Sequence, residues 1–176
     1  MTQPPMANGR TDEIFTPAIG LVSLLPNIRH EWIILEPAYG QGHLAKLLTD
    51  AGLAVVGYAG FDFLVDEPPK FDCVITNPPY SKKVQFLSRC YELGKPFALL
   101  MPLTALEGKA RGELYKKYGI ELIIPNKRIN FIMPNGGSSS WFQAVWFTHG
   151  LGLPAQLNFF DVSSVKFEPE AKNRMV

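Results

Sequence analysis

The sequence predicts an α/β protein built on a mostly parallel sheet with helices on both faces, ending in an antiparallel hairpin at one edge. Three observations predict it. Short apolar, strand-like runs alternate with helix-like segments along most of the chain, the pattern of a parallel sheet covered by crossover helices. Two of those runs end in motifs suited to ligand binding at strand ends, Glu36-Pro37-Ala38-Tyr39-Gly40-Gln41-Gly42 after one and Asn77-Pro78-Pro79-Tyr80 after another. The last two strand-like runs have no helix between them, which suggests that they pair as an antiparallel hairpin.

Residues 1–11 are polar, carry two prolines and a glycine, and read as a flexible N-terminus. Thr16-Pro17 places a cap residue before a proline at the first helical position, and a short apolar helix over 18–25 follows. Residues 32–35 form a buried strand. A helix over 43–51 carries Leu44, Leu47 and Leu48 on one face, with Gly52 just past its end. Strands are expected over 53–58 and 71–76, a helix over 84–93, a strand over 96–101, and a helix over 107–118 stopped by Gly119. A strand over 120–124 is followed by a run at 129–132 that extends or follows it. A Pro-Asn-Gly-Gly-Ser loop then leads to a final strand over 141–148. Residues 12–150 form one domain on this reading, and 151–176 form a C-terminal tail too short for a further recognition domain.

Composition narrows the classes. The chain of 176 residues is 47% hydrophobic and 19% charged, an ordinary globular balance long enough to bury a core. No apolar run approaches the roughly 20 residues of a membrane span, and the start lacks a signal-peptide core. Two cysteines, Cys73 and Cys90, make neither a disulfide framework nor a metal site, and point to a reducing cytoplasm. His30, His43 and His149 have no metal-like spacing, so no metal is expected and none of the three receives a role. The formal charge of +1 is modest for a nucleic-acid protein, but phosphate contacts need only local cations. Lys82-Lys83, Lys109 with Arg111, Lys116-Lys117 and Lys127-Arg128 are the clusters available. Lys82 and Lys83 stand out because they adjoin Tyr80.

Gly40 and Gly42 sit where a strand turns into a helix, a place for close backbone approach to a ligand and for N–H groups that meet a carboxylate. Glu36, at the strand's C-terminal end, is placed to hold an ammonium group. The acidic residue with its glycine turn, followed at a similar distance by Asn-Pro-Pro-Tyr, resembles the S-adenosylmethionine-dependent DNA adenine-N6 methyltransferases, especially the small forms of phages. The resemblance covers residues 14–147, roughly, and implies a Rossmann-like class I methyltransferase sheet, S-adenosylmethionine as cofactor, DNA as partner and a bacterial or phage-infected host. It also implies that Phe15, Thr16 and Pro17 contact the methionyl end. Glu36, Pro37, Ala38, Gly40 and Gly42 form the cofactor turn. Asp62 accepts from the cofactor's adenine amine, and Phe63 packs on its ring.

One departure is plain. The family places a carboxylate after the second strand to bind the ribose hydroxyls, and this chain has Gly57-Tyr58-Ala59-Gly60. Phe61 follows Tyr58 by three positions, whereas a parallel crossover needs about a dozen residues. The helix and edge strand after strand two are therefore expected to be missing or vestigial.

An exocyclic adenine amine is a poor nucleophile because its lone pair is delocalised into the ring. Acceptors on both of its N–H bonds pull the nitrogen toward tetrahedral geometry. Asn77 supplies a side-chain oxygen, Pro78 a carbonyl, and Pro78 with Pro79 fixes the loop and removes competing N–H donors. Asparagine does this without burying a charge. Tyr80 offers a face for stacking the base, which must be flipped out or single-stranded, and Trp141 or Phe142 offers the second wall. The same motif occurs in RNA adenine and protein glutamine methyltransferases. A non-catalytic binding protein on the same frame would also explain the missing ribose carboxylate.

Overall fold

The computed structural model describes residues 15–132, 138–139 and 142–164. The expectations for residues 1–11, for Trp141 and the glycine-serine loop before it, and for the end of the tail lie outside the described residues.

Helix α1 (Ala18–Val22) precedes strand β1 (Ile33–Leu35). Next come α2 (His43–Asp50), β2 (Ala54–Val56), β3 (Cys73–Thr76), α3 (Lys83–Leu93), β4 (Phe97–Pro102), α4 (Lys109–Tyr118) and β5 (Glu121–Pro125). A two-stranded ribbon of β6 (Phe131–Ile132) and β7 (Ser138–Ser139) follows, then β8 (Ala144–His149) and β9 (Leu157–Phe160). Seven strands form one sheet in the order β2-β1-β3-β4-β8-β5-β9. Strands β1 to β4 pair parallel, β5 and β9 pair parallel, and β8 runs antiparallel to both its neighbours.

Alternation along each strand separates two buried layers. Ile34, Ile75, Leu100 and Trp146 face a cluster with Leu21, Leu24 and Leu48 from α1, its following turn and α2. Their neighbours Leu35, Val74, Leu99 and Phe147 face the opposite cluster, with Phe86 and Leu87 of α3 and with Phe63. Trp146 also donates its indole N–H to the Gly20 carbonyl at 2.8 Å, which ties α1 to the centre of the sheet.

Three features differ from the sequence reading. The last long strand lies inside the sheet, between β4 and β5, and not at an edge. It pairs on both edges, with β4 and β5, and Val145, Trp146 and Phe147 are all buried because the clusters on the two sides of the sheet cover both of its faces. The sheet also continues past residue 150. Leu157 to Phe160 pairs with β5 as an edge strand whose exposure alternates, Leu157 at 54% and Phe159 at 78% facing out. Finally, Pro17 is the extended residue that caps α1, so proline stands one place earlier than expected and Thr16 does not cap. The helix stops at Val22 because Leu25-Pro26-Asn27 forms a tighter 3-10 turn, and Pro26 has no N–H to continue the ladder.

The expectation after strand two is met. Residues 57–72 contain neither helix nor strand, and β2 is the sheet's edge. No helix among the described residues is long and apolar enough to cross a membrane.

Candidate active site

Register places the ends of three strands within two residues of one another. Leu35 pairs with Val56 on one side and Val74 on the other, so Glu36, Gly57 and Asn77 emerge near the same end of the sheet. A cavity of about 610 Å³ opens there, within the range of roughly 300–1,000 Å³ typical of small-molecule sites.

Glu36 forms its floor. The side chain is 1% exposed, and its Oε1 accepts from Thr76 Oγ1 at 2.5 Å and from the Ala38 N–H at 2.9 Å. Burial pushes the carboxyl up to about 8, against the pull of those two hydrogen bonds. A buried acid facing a cavity and held protonated at neutral pH is suited to a cationic ligand, whose charge would draw the proton off.

The backbone around it is built by glycines. Gly40 (φ +50°) lines the cavity, and Gly42 (φ +78°) caps α2 in the left-handed conformation behind the wall. Gly57 is demanded by close approach: a Cβ there would sit 2.5 Å from the Glu36 carbonyl oxygen. The Tyr39 ring lies against both Gly42 and Gly57 and forms part of the cavity wall.

Phe15 is positioned by an antiparallel bridge to Ile132 and lies against the His43 ring, centroids 4.0 Å apart. Thr16 lines the cavity too. Its buried Oγ1 has no hydrogen-bond partner among the described residues. The loop after β2 supplies Tyr58, Ala59, Gly60, Phe61, Asp62 and Phe63. Asp62 Oδ1 accepts from the Leu64 N–H at 3.0 Å, so it is a turn carboxylate as well as a lining residue. Phe63 is buried against Phe86, centroids 5.1 Å apart.

From the second motif, half-buried Asn77, Pro79 and exposed Lys82 line the cavity. Pro78 is buried and does not, nor do Pro17, Gly42, Tyr80, Lys83 and Phe142. Lys83 donates instead to the Tyr80 carbonyl at 3.0 Å, which separates the two neighbouring lysines in role. Tyr80 is 3% exposed, and its ring meets Phe142 edge-on with centroids 5.3 Å apart. The two rings therefore contact each other directly, and Trp141, the other candidate for the second wall, lies outside the described residues.

Pro37 and Ala38 line the cavity, alongside several residues that the sequence did not single out: Tyr39, Gln41, His43, Leu44, Tyr58, Ala59, Gly60, Phe61 and Phe86. Tyr58 and Phe61 carried a usable signal, two aromatics three apart across a glycine. His43 carried none, since its partner Phe15 lies far off in sequence.

No protein-family model matches the sequence, and no curated protein does. Solved structures do match. A Listeria monocytogenes protein assigned as a class I S-adenosylmethionine-dependent methyltransferase aligns with a TM-score of 0.58 at 14% identity, over 90% of this chain and 69% of its own. A Thermotoga maritima S-adenosylmethionine-dependent O-methyltransferase aligns at 0.49 and 15% identity, over 81% and 68%. A Vibrio vulnificus protein assigned as a type I restriction enzyme modification subunit aligns at 0.48 and 12% identity, over 88% and 48%. The Listeria alignment and the strand order with its single reversed strand establish the Rossmann-like fold of the class I methyltransferases.

Proposed function

We propose that this chain binds S-adenosylmethionine and methylates the exocyclic N6 amine of adenine in DNA. The observation that carries the reading is the meeting of the two motifs: Glu36 and Asn77, from turns after different strands, line one cavity. The fit to the cofactor rests on Glu36. Its buried carboxyl faces that cavity and has no cationic partner among the described residues, accepting only from Thr76 and Ala38, which suits the methionyl ammonium. Phe15, Thr16, Pro37, Ala38 and Gly40 surround the same end, while Asp62 and Phe63 belong to the adenosine end.

When bound, the cofactor supplies a methyl group on a sulfonium, whose S–C bond breaks as the amine lone pair forms the new N–C bond. Asn77 Oδ1 and the Pro78 carbonyl accept the two amine N–H bonds and free that lone pair; the surplus proton then leaves to solvent. Pro78 and Pro79 hold the acceptors in place. For a base to stack on Tyr80, the Tyr80–Phe142 contact has to open, and Trp141 or Phe142 would then form the second wall. Lys82, exposed beside the cavity, takes a backbone phosphate.

Transfer of labelled methyl from S-adenosylmethionine to unmethylated DNA tests this, with RNA and a protein extract as parallel acceptors. N6-methyladenine from DNA is the expected product, and Asn77→Ala should abolish it while cofactor affinity stays within about threefold. Label in RNA or protein would keep the mechanism and replace the substrate. Cofactor binding without transfer to any acceptor would leave a binding protein on a methyltransferase frame.

A further inference from the structure

Between β2 and β3 the chain passes the cavity in two successive turns, the first over residues 58–61. The Phe61 N–H donates to the Tyr58 carbonyl at 3.4 Å, and Gly60 adopts φ +89°, which an L side chain rarely takes. The turn sets the two aromatic rings side by side, centroids 5.5 Å apart and planes at 52°. Both line the cavity, yet Tyr58 is 55% exposed, more than an aromatic ring serving only as core. Carboxylates that could chelate a vicinal diol are scarce here. Among the lining residues only Glu36 and Asp62 carry one; Glu36 is bonded to Thr76 and Ala38 at the cavity floor, and Asp62, whose Oδ1 accepts from Leu64, is the acceptor the resemblance gives to the adenine amine.

We infer that Tyr58 and Phe61 hold the adenosine half of the cofactor by ring contact and that the site does not read the ribose hydroxyls, so it accepts adenosyl ligands whose sugar lacks them. The inference rests on the cofactor reading above and specifies how that site selects its ligand. Every purine has an apolar face, so ring contact is indifferent to sugar substitution, whereas a carboxylate bound to two hydroxyls loses charge-assisted hydrogen bonds when they are removed. Exchanging one contact for the other keeps the hold on the purine ring and gives up ribose selectivity.

The test is calorimetric titration of the whole chain with S-adenosylhomocysteine and with its 2′,3′-dideoxyribose counterpart. Wild-type protein is expected to bind both within about threefold of each other, less than the roughly tenfold or more that one charge-assisted hydrogen bond contributes. Tyr58→Ala should weaken both ligands equally, on the order of tenfold or more, as loss of a stacking face does. Tyr58→Phe should retain affinity within about threefold, because the ring and not the hydroxyl makes the contact. The side chain is half exposed, so truncation opens no core cavity, and an unchanged melting temperature checks that.

A loss of about tenfold or more for the dideoxy ligand in wild type would overturn the inference and leave the cofactor reading standing. Equal losses in Tyr58→Phe and Tyr58→Ala would overturn the ring contact. Failure of wild type to bind S-adenosylhomocysteine at all would remove both together.

Discussion

Replacing Glu36 by glutamine should make the ligand-free protein more stable in alkaline solution and destroy its affinity for the cofactor. Glutamine keeps the oxygen that accepts from Thr76 and Ala38 but cannot ionise. In the wild type, burial raises the carboxyl from its ordinary 4.5 to about 8. At about 1.4 kcal/mol per decade, ionising it in the folded state costs at most about 5 kcal/mol. The sign follows from proton binding: between 4.5 and 8 the folded state holds a proton that the unfolded state has lost. Wild-type stability from this group is therefore full below about 4.5, declines as pH rises, and is gone above about 8. Glu36→Gln lacks that decline. For a domain this size, 1 kcal/mol shifts the melting temperature by about 2–4 °C, so the variant should melt on the order of 10 °C higher at pH 9 and match wild type near pH 4.5.

Cofactor binding should show the same proton from the other side. An ammonium beside Glu36 favours the carboxylate, so binding near pH 7 releases close to one proton, and wild-type affinity rises about tenfold per pH unit until about pH 8. Titration calorimetry in buffers of different ionisation enthalpy counts that proton. Melting curves that run parallel across pH in the two proteins, or binding with no proton release, would refute the assignment of Glu36 as a buried, protonated acid.

Gly57→Ala should cost about 1–3 kcal/mol by overpacking, since the added Cβ meets the Glu36 carbonyl oxygen at 2.5 Å; Gly112→Ala, in α4 with open space around it, should stabilise by about 0.5–1 kcal/mol. Denaturant midpoints compare the pair. Lys82→Ala should reduce the salt dependence of DNA binding by about one unit of slope, while Lys83→Ala, whose ammonium holds the Tyr80 carbonyl, should leave the slope alone and lower the melting temperature. Thr76→Val removes a hydrogen bond that favours ionised Glu36, so the carboxyl rises further and the pH profile of cofactor affinity moves to higher pH with its plateau unchanged. A uniform loss at every pH would mean that Thr76 only positions the carboxylate.

Much of the fold was legible because apolar periodicity and turn residues are local signals. The lack of helix and strand over 57–72 was legible only with the resemblance, which set the Asp-Phe segment so soon after Tyr58 that no crossover of about a dozen residues fits before it. The place of β8 could not. Strand order depends on pairing between Val145–Phe147 and strands more than forty positions before it in one case, and no local pattern distinguishes an interior antiparallel strand from an edge one. Strand β9 was illegible for the opposite reason: it alternates with only one face inward, so Leu157 and Phe159 look like a loose apolar tail. Among the residues that line the cavity, Glu36, Gly40 and Asn77 could be singled out beforehand because they lie in contiguous motifs. The Tyr80–Phe142 and Phe15–His43 contacts join distant segments and follow from tertiary packing.

Register explains why two motifs forty residues apart can serve one cavity. Parallel pairing of β1 with β3 brings Thr76 beside Glu36, and the Thr76 hydroxyl donates to that carboxylate at 2.5 Å. Asn77 is the next residue. The backbone that presents the proposed amine acceptor thus also carries the donor that tunes the proposed ammonium site, so a shift of β3 along β1 would disturb both. No strand pairing constrains the far end of the cavity, which a loop with turns at 58–61 and 62–66 lines, open to solvent at Tyr58. Sheet pairing therefore fixes the strand ends proposed to carry the chemistry and exerts no control over the loop of residues 57–72 at the other end of the cavity.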